Sequence, residues 1–272
     1  MSTKIAWPVP APILPEGVHP ALAAMARAAS AAYGEARRRH TRAELAEEVA
    51  DGADGTPTMR VDEIVEAAIT EQAHRHRVNL LSEEIGFVDN GSAVTLVVDP
   101  VDGSNNAANG VPLSCFGGTV AVDGRATEAL TVWLDTGRAW HARAGEPVPY
   151  RTTGRTALTG ATVHLLRPHP RSAQAWMRIA DRARRVRILS TTVLECALVA
   201  EGSMDAFCDP GSQTHRLVDL ATAMVTVPAA GGAVIDVHGR PLEIDLDLTR
   251  RWSGIAAATR ELADELAATV LG

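Results

Sequence analysis

Cysteine is scarce in this chain: Cys115, Cys196 and Cys208 are its only thiols and lie far apart. Their spacing matches no metal-ligand pattern. They read as small buried hydrophobes in a reducing compartment. Long apolar runs are missing too, and no stretch reaches the about 18 residues that a membrane-spanning helix needs. The first residues lack the basic-then-apolar pattern of a secretory signal, so the expected location is cytoplasmic. Positive charge is thin: Lys4 is the only lysine, and 26 basic residues face 33 acidic ones, a net charge of −7. Neutralising a nucleic-acid backbone takes a basic stripe. The densest basic run, Arg182 to Arg187, reads instead as the edge of a helix. Nucleic acid and membrane are therefore excluded as expected partners. No internal repeat is visible.

What is present is a chain of 272 residues, 46% hydrophobic, long enough for two lobes sharing a large core. Pro8, Pro10, Pro12, Pro15 and Pro20 make residues 1–20 an extended segment, against the body, against a partner or free. Residues 21–155 are expected to form an α+β lobe and 156–272 an α/β lobe. Helical spacing runs from His19 to Val49, with breaks expected near Gly34 and Thr41. Asp51–Gly55 reads as a flexible loop, and Thr58–Arg77 as a second helix. Strands follow at Asn79–Ser82 and Val94–Val98, then antiparallel ones at Ser114–Val122, Ala126–Leu134 and Arg138–Arg143. Val148–Tyr150 is at most an edge piece, because Pro147 and Pro149 flank it. Beyond it strands and helices alternate: strand Thr162–Leu166, helix Ser172–Arg182, strand Val186–Leu189, helix Thr191–Glu201, strand Met204–Phe207, helix His215–Val227, strand Ala233–Asp236. A strand at Ile255–Ala258 and a helix from Glu261 close the chain. Antiparallel strands first and alternating elements second suit a layered α/β sandwich.

The stretch Val94-Thr-Leu-Val-Val-Asp-Pro-Val-Asp-Gly-Ser-Asn105 carries the chemistry. A buried strand ends in Asp99 and Asp102, and Pro100 stops it. Carboxylates are thereby delivered to a strand's C-terminal end, where open α/β sheets place their sites. Gly103-Ser104-Asn105 can open a helix whose free N–H groups favour an anion such as phosphate. Upstream, Leu80-Leu-Ser-Glu-Glu-Ile-Gly86 is another apolar run ending in acids, Glu83 and Glu84. If the two strands lie side by side, Glu83 and Asp99 emerge together. Packed carboxylates repel unless a cation sits among them. The pattern points to metal-assisted phosphoryl chemistry.

Ser82-Glu83-Glu84, Asp99-Pro-Val-Asp-Gly-Ser104 and the segment around Val218-Asp219, leading to Gly231-Gly-Ala-Val-Ile-Asp236, resemble the inositol monophosphatase family of lithium-sensitive, magnesium-dependent sugar phosphatases. Asp54-Gly-Thr-Pro-Thr-Met-Arg-Val-Asp62 resembles its archaeal branch, which often hydrolyses both inositol monophosphate and fructose 1,6-bisphosphate. The resemblance covers Asp54 to the C-terminus and implies an αβαβα sandwich. It implies one Mg²⁺ held by Glu83, Asp99 and the Val101 carbonyl, and a second held by Asp99, Asp102 and Asp219. A third, weaker one near Glu83 and Asp62 is seen in parts of the family, and Mn²⁺ is a possible substitute. It implies a water nucleophile rather than a phospho-enzyme, with Asp62, Glu83 and Ser104 as catalytic residues. Asp102, Gly103, Ser104, Ser190, Thr191, Thr192 and Asp209 fall at substrate positions.

This chain departs from the family at several places. Ser104 stands where threonine is usual and loses the β-branch that fixes its rotamer. Ser190 replaces a glycine beside the substrate, and Asn105–Ala108 departs from Thr-Asn-Phe. The lysine of the animal branch is missing before the second helix. The Asp51–Gly55 loop is expected to close over the third metal, so that alanine at Gly52 and Gly55 lowers turnover with little loss of stability. The basic Leu166–Arg171 loop reads as ordinary surface, with a second phosphate or a base as its other reading. His74, His76 and His215 show no ligand spacing with a carboxylate and read as surface or supporting groups. The expected activity is phosphomonoester hydrolysis on a small polyol or sugar, by a homodimer. Alternatives are fructose 1,6-bisphosphate, a pathway-specific sugar or nucleoside phosphate, 3′-phosphoadenosine 5′-phosphate, or a non-catalytic scaffold.

Overall fold

The protein is described from a computed structural model covering residues 3–272. The first half contains α1 (Pro20–Arg39), α2 (Arg42–Leu45), β1 (Glu48–Asp51), β2 (Pro57–Met59), α3 (Arg60–His76), β3 (Asn79–Ser82), β4 (Gly86–Val88), β5 (Val94–Asp102), α4 (Ser104–Asn109), β6 (Cys115–Val122), β7 (Arg125–Trp133) and β8 (Ala139–Arg143). The second half adds β9 (Thr162–Leu165), α5 (Ala173–Arg182), β10 (Arg185–Arg187), α6 (Thr192–Ala200), β11 (Ala206–Cys208), α7 (Leu217–Ala221), α8 (Ala223–Ala229), β12 (Ala233–Asp236), β13 (Gly254–Ala257) and α9 (Arg260–Leu271).

A six-stranded sheet runs β4-β3-β5-β6-β7-β8, with β3 and β5 parallel and its other pairs antiparallel. A five-stranded sheet runs β10-β9-β11-β13-β12. Side chains alternate across each strand. Leu80, Leu96 and Val98 join Leu22, Met25, Val65 and Ile69 of α1 and α3 on one face. Leu81 and Val97 turn to Val218 and Ala221 of α7 on the other. Phe207 and Ala256 of the second sheet pack on Cys196 and Val199 of α6 and on Val227 of α8. Ile255 and Ala257 face Ile179 of α5 and Leu262 and Leu266 of α9. The layers are thus helix, sheet, helix, sheet, helix, as expected. Burying such a Leu, Ile or Val side chain is worth about 1.5–3 kcal/mol, so the shared middle layer joins the two halves firmly.

Several boundaries differ from the sequence reading. α1 runs through Gly34 without a break, held on either side by Tyr33 and Ala36 in the core; Val9 of the proline-rich segment packs at Gly34, 3.3 Å from where a Cβ would stand. That segment lies along the body. Its Ile13 N–H donates to Gly137 O (2.7 Å), and the Trp7 carbonyl accepts from Arg37 (3.0 Å). Residues 48–59 form a hairpin, with β1 where the end of the first helix is expected, the 51–55 loop at its turn, and β2 taking Thr58 and Met59 from the expected second helix. Val148–Tyr150 forms no strand. The expected helix from His215 starts instead at Leu217, because His215 and Trp252 exchange both backbone hydrogen bonds (3.2 and 2.8 Å). The basic run edges a helix as expected, with Arg182 ending α5, and the strand expected at Val186–Leu189 lies instead at Arg185–Arg187.

Candidate active site

β3 and β5 run side by side with Ser82 opposite Val98, so Glu83 and Asp99 leave the sheet together. Asp99 and Asp102 are three residues apart and would face opposite sides of a regular strand. A bulge at Pro100–Val101 against β6 cancels that offset. Both carboxylates therefore reach the middle helix layer. Asp219 arrives from the first turn of α7. Ligand oxygens of Glu83, Asp99 and Asp219 all lie within 4.8 Å of one another.

Burial dominates the electrostatics. Asp99 and Glu83 are pushed well above the usual carboxylate range by loss of water, and the neighbouring carboxylates add to it. Burial would raise Asp219 as well, but the Arg216 guanidinium outweighs it and holds this carboxyl low. Among the described residues Asp62 Oδ1 and Asp99 Oδ2 are buried with no hydrogen-bond donor, and Glu83 Oε2 has only the Arg216 guanidinium against it. Unpaired buried oxygens are costly. An all-oxygen donor set of this kind fits a hard divalent cation.

Asp62 sits in the first turn of α3, where its Oδ2 accepts the Met59 N–H at 3.2 Å. Burial, then the Glu84 charge, raises its pKa to about 7 against the pull of the nearby Ser104 hydroxyl. Ser104 Oγ donates to the Val101 carbonyl at 3.0 Å. Gly103 has φ +84, and a Cβ there would meet Leu113 O at 2.8 Å, so this turn requires glycine.

Asp102 is held differently from its neighbours. It accepts from Thr191 Oγ1 (2.6 Å), Thr192 N (3.2 Å) and Val193 N (2.8 Å), which ties it to the start of α6. Thr191 and Thr192 are buried and engaged, Thr192 with His215 Nε2 at 3.2 Å. Ser190 is exposed at φ +60, the left-handed region that glycine favours. Asp209 is 0% exposed, with Oδ1 on Ser212 N (2.7 Å) and Oδ2 facing His215 Nδ1 at 4.0 Å. It presents no surface to a sugar, contrary to expectation, because Ser212 and His215 enclose it. His215 is likewise a buried link rather than a surface group, whereas His74 and His76 are exposed.

The sequence reading missed Arg216. Its Nη1 reaches Asp54 Oδ2 (3.0 Å) and also contacts Glu83 Oε2, while Nη2 meets Asp219 Oδ1 (2.7 Å). Its signal in the sequence is its place three residues before Asp219, the separation that puts two side chains on one helix face. The 51–55 loop is anchored here, with Ala53 N on Glu84 O (2.9 Å) and Arg251 on Asp54 O (2.7 Å). A Cβ on Gly52 would stand 2.9 Å from Glu84 Oε2, and Gly55 has φ +84. Alanine at either position therefore strains the fold, which corrects the expectation of little lost stability.

The family model that matches this chain is the inositol monophosphatase family, over residues 19–271. The chain is 32% identical over 232 residues to the fructose-1,6-bisphosphatase/inositol-1-monophosphatase of Thermococcus kodakarensis, covering 81% of this chain and 85% of that protein. It is 31% identical to a bifunctional NADP phosphatase/NAD kinase of Methanococcus maripaludis, over 76% of this chain and 41% of that one. A solved inositol monophosphatase–fructose 1,6-bisphosphatase superposes with a TM-score of 0.75 at 26% identity, over 84% of this chain and 92% of the other. A family match of nearly full length, phosphatase relatives and a carboxylate cluster at paired strand ends lead to one conclusion: this chain belongs to the inositol monophosphatase family and is a phosphoric monoester hydrolase.

Proposed function

We propose that the preferred substrate is a small phosphorylated polyol or sugar, inositol monophosphate first and fructose 1,6-bisphosphate second. Mg²⁺ is the resident cation in this reading, two or three per site, and Mn²⁺ its substitute. The observation that carries it is the convergence of Glu83, Asp99 and Asp219 within 4.8 Å, with Asp99 Oδ2 buried and unpaired. These residues, the Val101 carbonyl and Asp102 would hold the cations. Bound divalent cations supply Lewis-acid stabilisation of the charge that develops on phosphate oxygens. Asp62 keeps Oδ1 free to take a proton from water, and Ser104 beside it orients that water. Gly103 and Ser104 would orient the phosphate, and Ser190 would line the sugar side. Thr191, Thr192 and Asp209 act at one remove, by fixing Asp102 and His215.

A second reading, removal of a nucleotide's phosphate, is favoured by the similarity to the NADP phosphatase/NAD kinase. Phosphate release should be measured on inositol 1-phosphate, fructose 1,6-bisphosphate, NADP and several sugar phosphates. Each assay is run with Mg²⁺, Mn²⁺, EDTA and lithium. Release concentrated on the first two, abolished by EDTA and reduced by lithium, supports the first reading. Release confined to NADP supports the second, and equal release with EDTA sinks both. In the same reading the enzyme is a cytoplasmic homodimer, so light scattering should give twice 28.7 kDa. Among the described residues no helix is long and apolar enough to cross a membrane.

A further inference from the structure

Arg216 occupies the place where a cation is needed. Its guanidinium lies among Asp54, Glu83 and Asp219, contacting Glu83 Oε2 and Asp219 Oδ1, and its Nε adds a bond to Asp219 Oδ2 at 3.2 Å. Glu83 and Asp219 are two of the three residues whose oxygens converge within 4.8 Å. An arginine stays charged at any physiological pH. It therefore supplies one fixed positive charge to a group of buried carboxylates that repel one another. A carboxylate oxygen cannot serve the guanidinium and a tightly bound cation with full strength at once.

Arg216 also has somewhere to go. Its side chain is 20% exposed and so is not sealed into the carboxylate cluster along its whole length. Asp54, its third partner, lies outside the converging trio and is fixed in place. Asp54 Oδ1 accepts from Thr56 N–H and Oγ1, both at 2.8 Å, and Arg251 grips its carbonyl at 2.7 Å.

We propose that Arg216 is a built-in counter-cation: it holds the metal-binding carboxylates together in the metal-free enzyme and yields Glu83 and Asp219 to the incoming cation while keeping Asp54. This rests on the proposed role of Glu83, Asp99 and Asp219 as metal ligands. The residue lowers cation affinity and in return keeps the metal-free protein folded against the repulsion of its own site.

The test is calorimetric titration of EDTA-stripped, full-length protein with MnCl₂, for wild type, Arg216→Gln, Arg216→Lys and Asp99→Asn, with melting in EDTA alongside. Arg216→Gln should bind Mn²⁺ at least about tenfold tighter, because the competing charge is gone. It should also melt below wild type in EDTA, the gap closing at saturating Mn²⁺. Arg216→Lys, which keeps the charge but not the planar fork, should fall between them. Equal or weaker binding by folded Arg216→Gln overturns the proposal. If that variant does not fold, the wild-type Arg216 Nε–H resonance decides. It should shift on adding Mg²⁺, and an unchanged signal overturns the proposal. Wild type that binds no Mn²⁺, or a site that survives Asp99→Asn, refutes the underlying metal reading instead.

Discussion

Ser190 holds φ +60 with a full side chain, an arrangement that costs on the order of 1–2 kcal/mol. Replacing it by glycine removes that strain but frees the unfolded chain, so Ser190→Gly should stabilise the protein by about 0.5–1 kcal/mol in urea titration. A loss of stability would show that the hydroxyl makes a contact worth more than the strain. Asp99 offers a sharper separation of fold from chemistry. Its charge is forced into a group that already repels it. Asp99→Asn should therefore raise the melting temperature in EDTA while lowering metal-dependent hydrolysis by about 10³-fold or more. Residues of this kind were legible because Asp99, Asp102 and Glu83 end apolar runs that already read as strands. Arg216 was not, because an arginine near an aspartate reads as an ordinary surface pair until the fold closes acids from β3 and the 51–55 loop around it.

The start of α6 is where two sets of constraints meet. Glu195 is buried there, with backbone N–H groups of Leu189 (3.1 Å) and Thr191 (3.4 Å) pointing at its oxygens. Burial lifts its pKa from an ordinary 4.5 to about 8. A carboxyl whose folded value is raised makes the folded protein hold its proton more tightly. Its penalty is absent below about 4.5 and grows until about 8. Stability should thus fall as pH rises through that window, and Glu195→Gln should flatten the fall in urea titrations at pH 5 and pH 8.5. An unaltered slope would assign the pH dependence elsewhere. β6 makes a second demand: a Cβ at Gly118 would stand 2.4 Å from Leu22 Cδ1. Gly118→Ala should cost about 1–3 kcal/mol by pushing α1 off the sheet. Elements with period-two or helical patterning were readable, as in β3, β5, β6 and α3. The β1–β2 hairpin was not, since Glu48–Asp51 is largely exposed and shows no alternation. Gly34 misled in the other direction: its helix is rich in alanine and anchored in the core by Leu22, Met25, Tyr33 and Ala36, so a single glycine does not break it.

Across the whole molecule, five layers place acids from β3, β5 and α7 at one point. The layered fold was legible because each half carries its own alternation of patterns. The site's closure was not, because it depends on contacts between residues more than a hundred positions apart, such as Arg216 with Asp54. The most direct measurement is phosphate release from inositol 1-phosphate by wild type and Asp219→Asn, in EDTA and after Mg²⁺ is restored. Wild type should be silent in EDTA and recover with Mg²⁺, while Asp219→Asn should stay silent in both. Release that persists in EDTA, or an Asp219→Asn enzyme as active as wild type, would contradict a metal-dependent site built on these carboxylates.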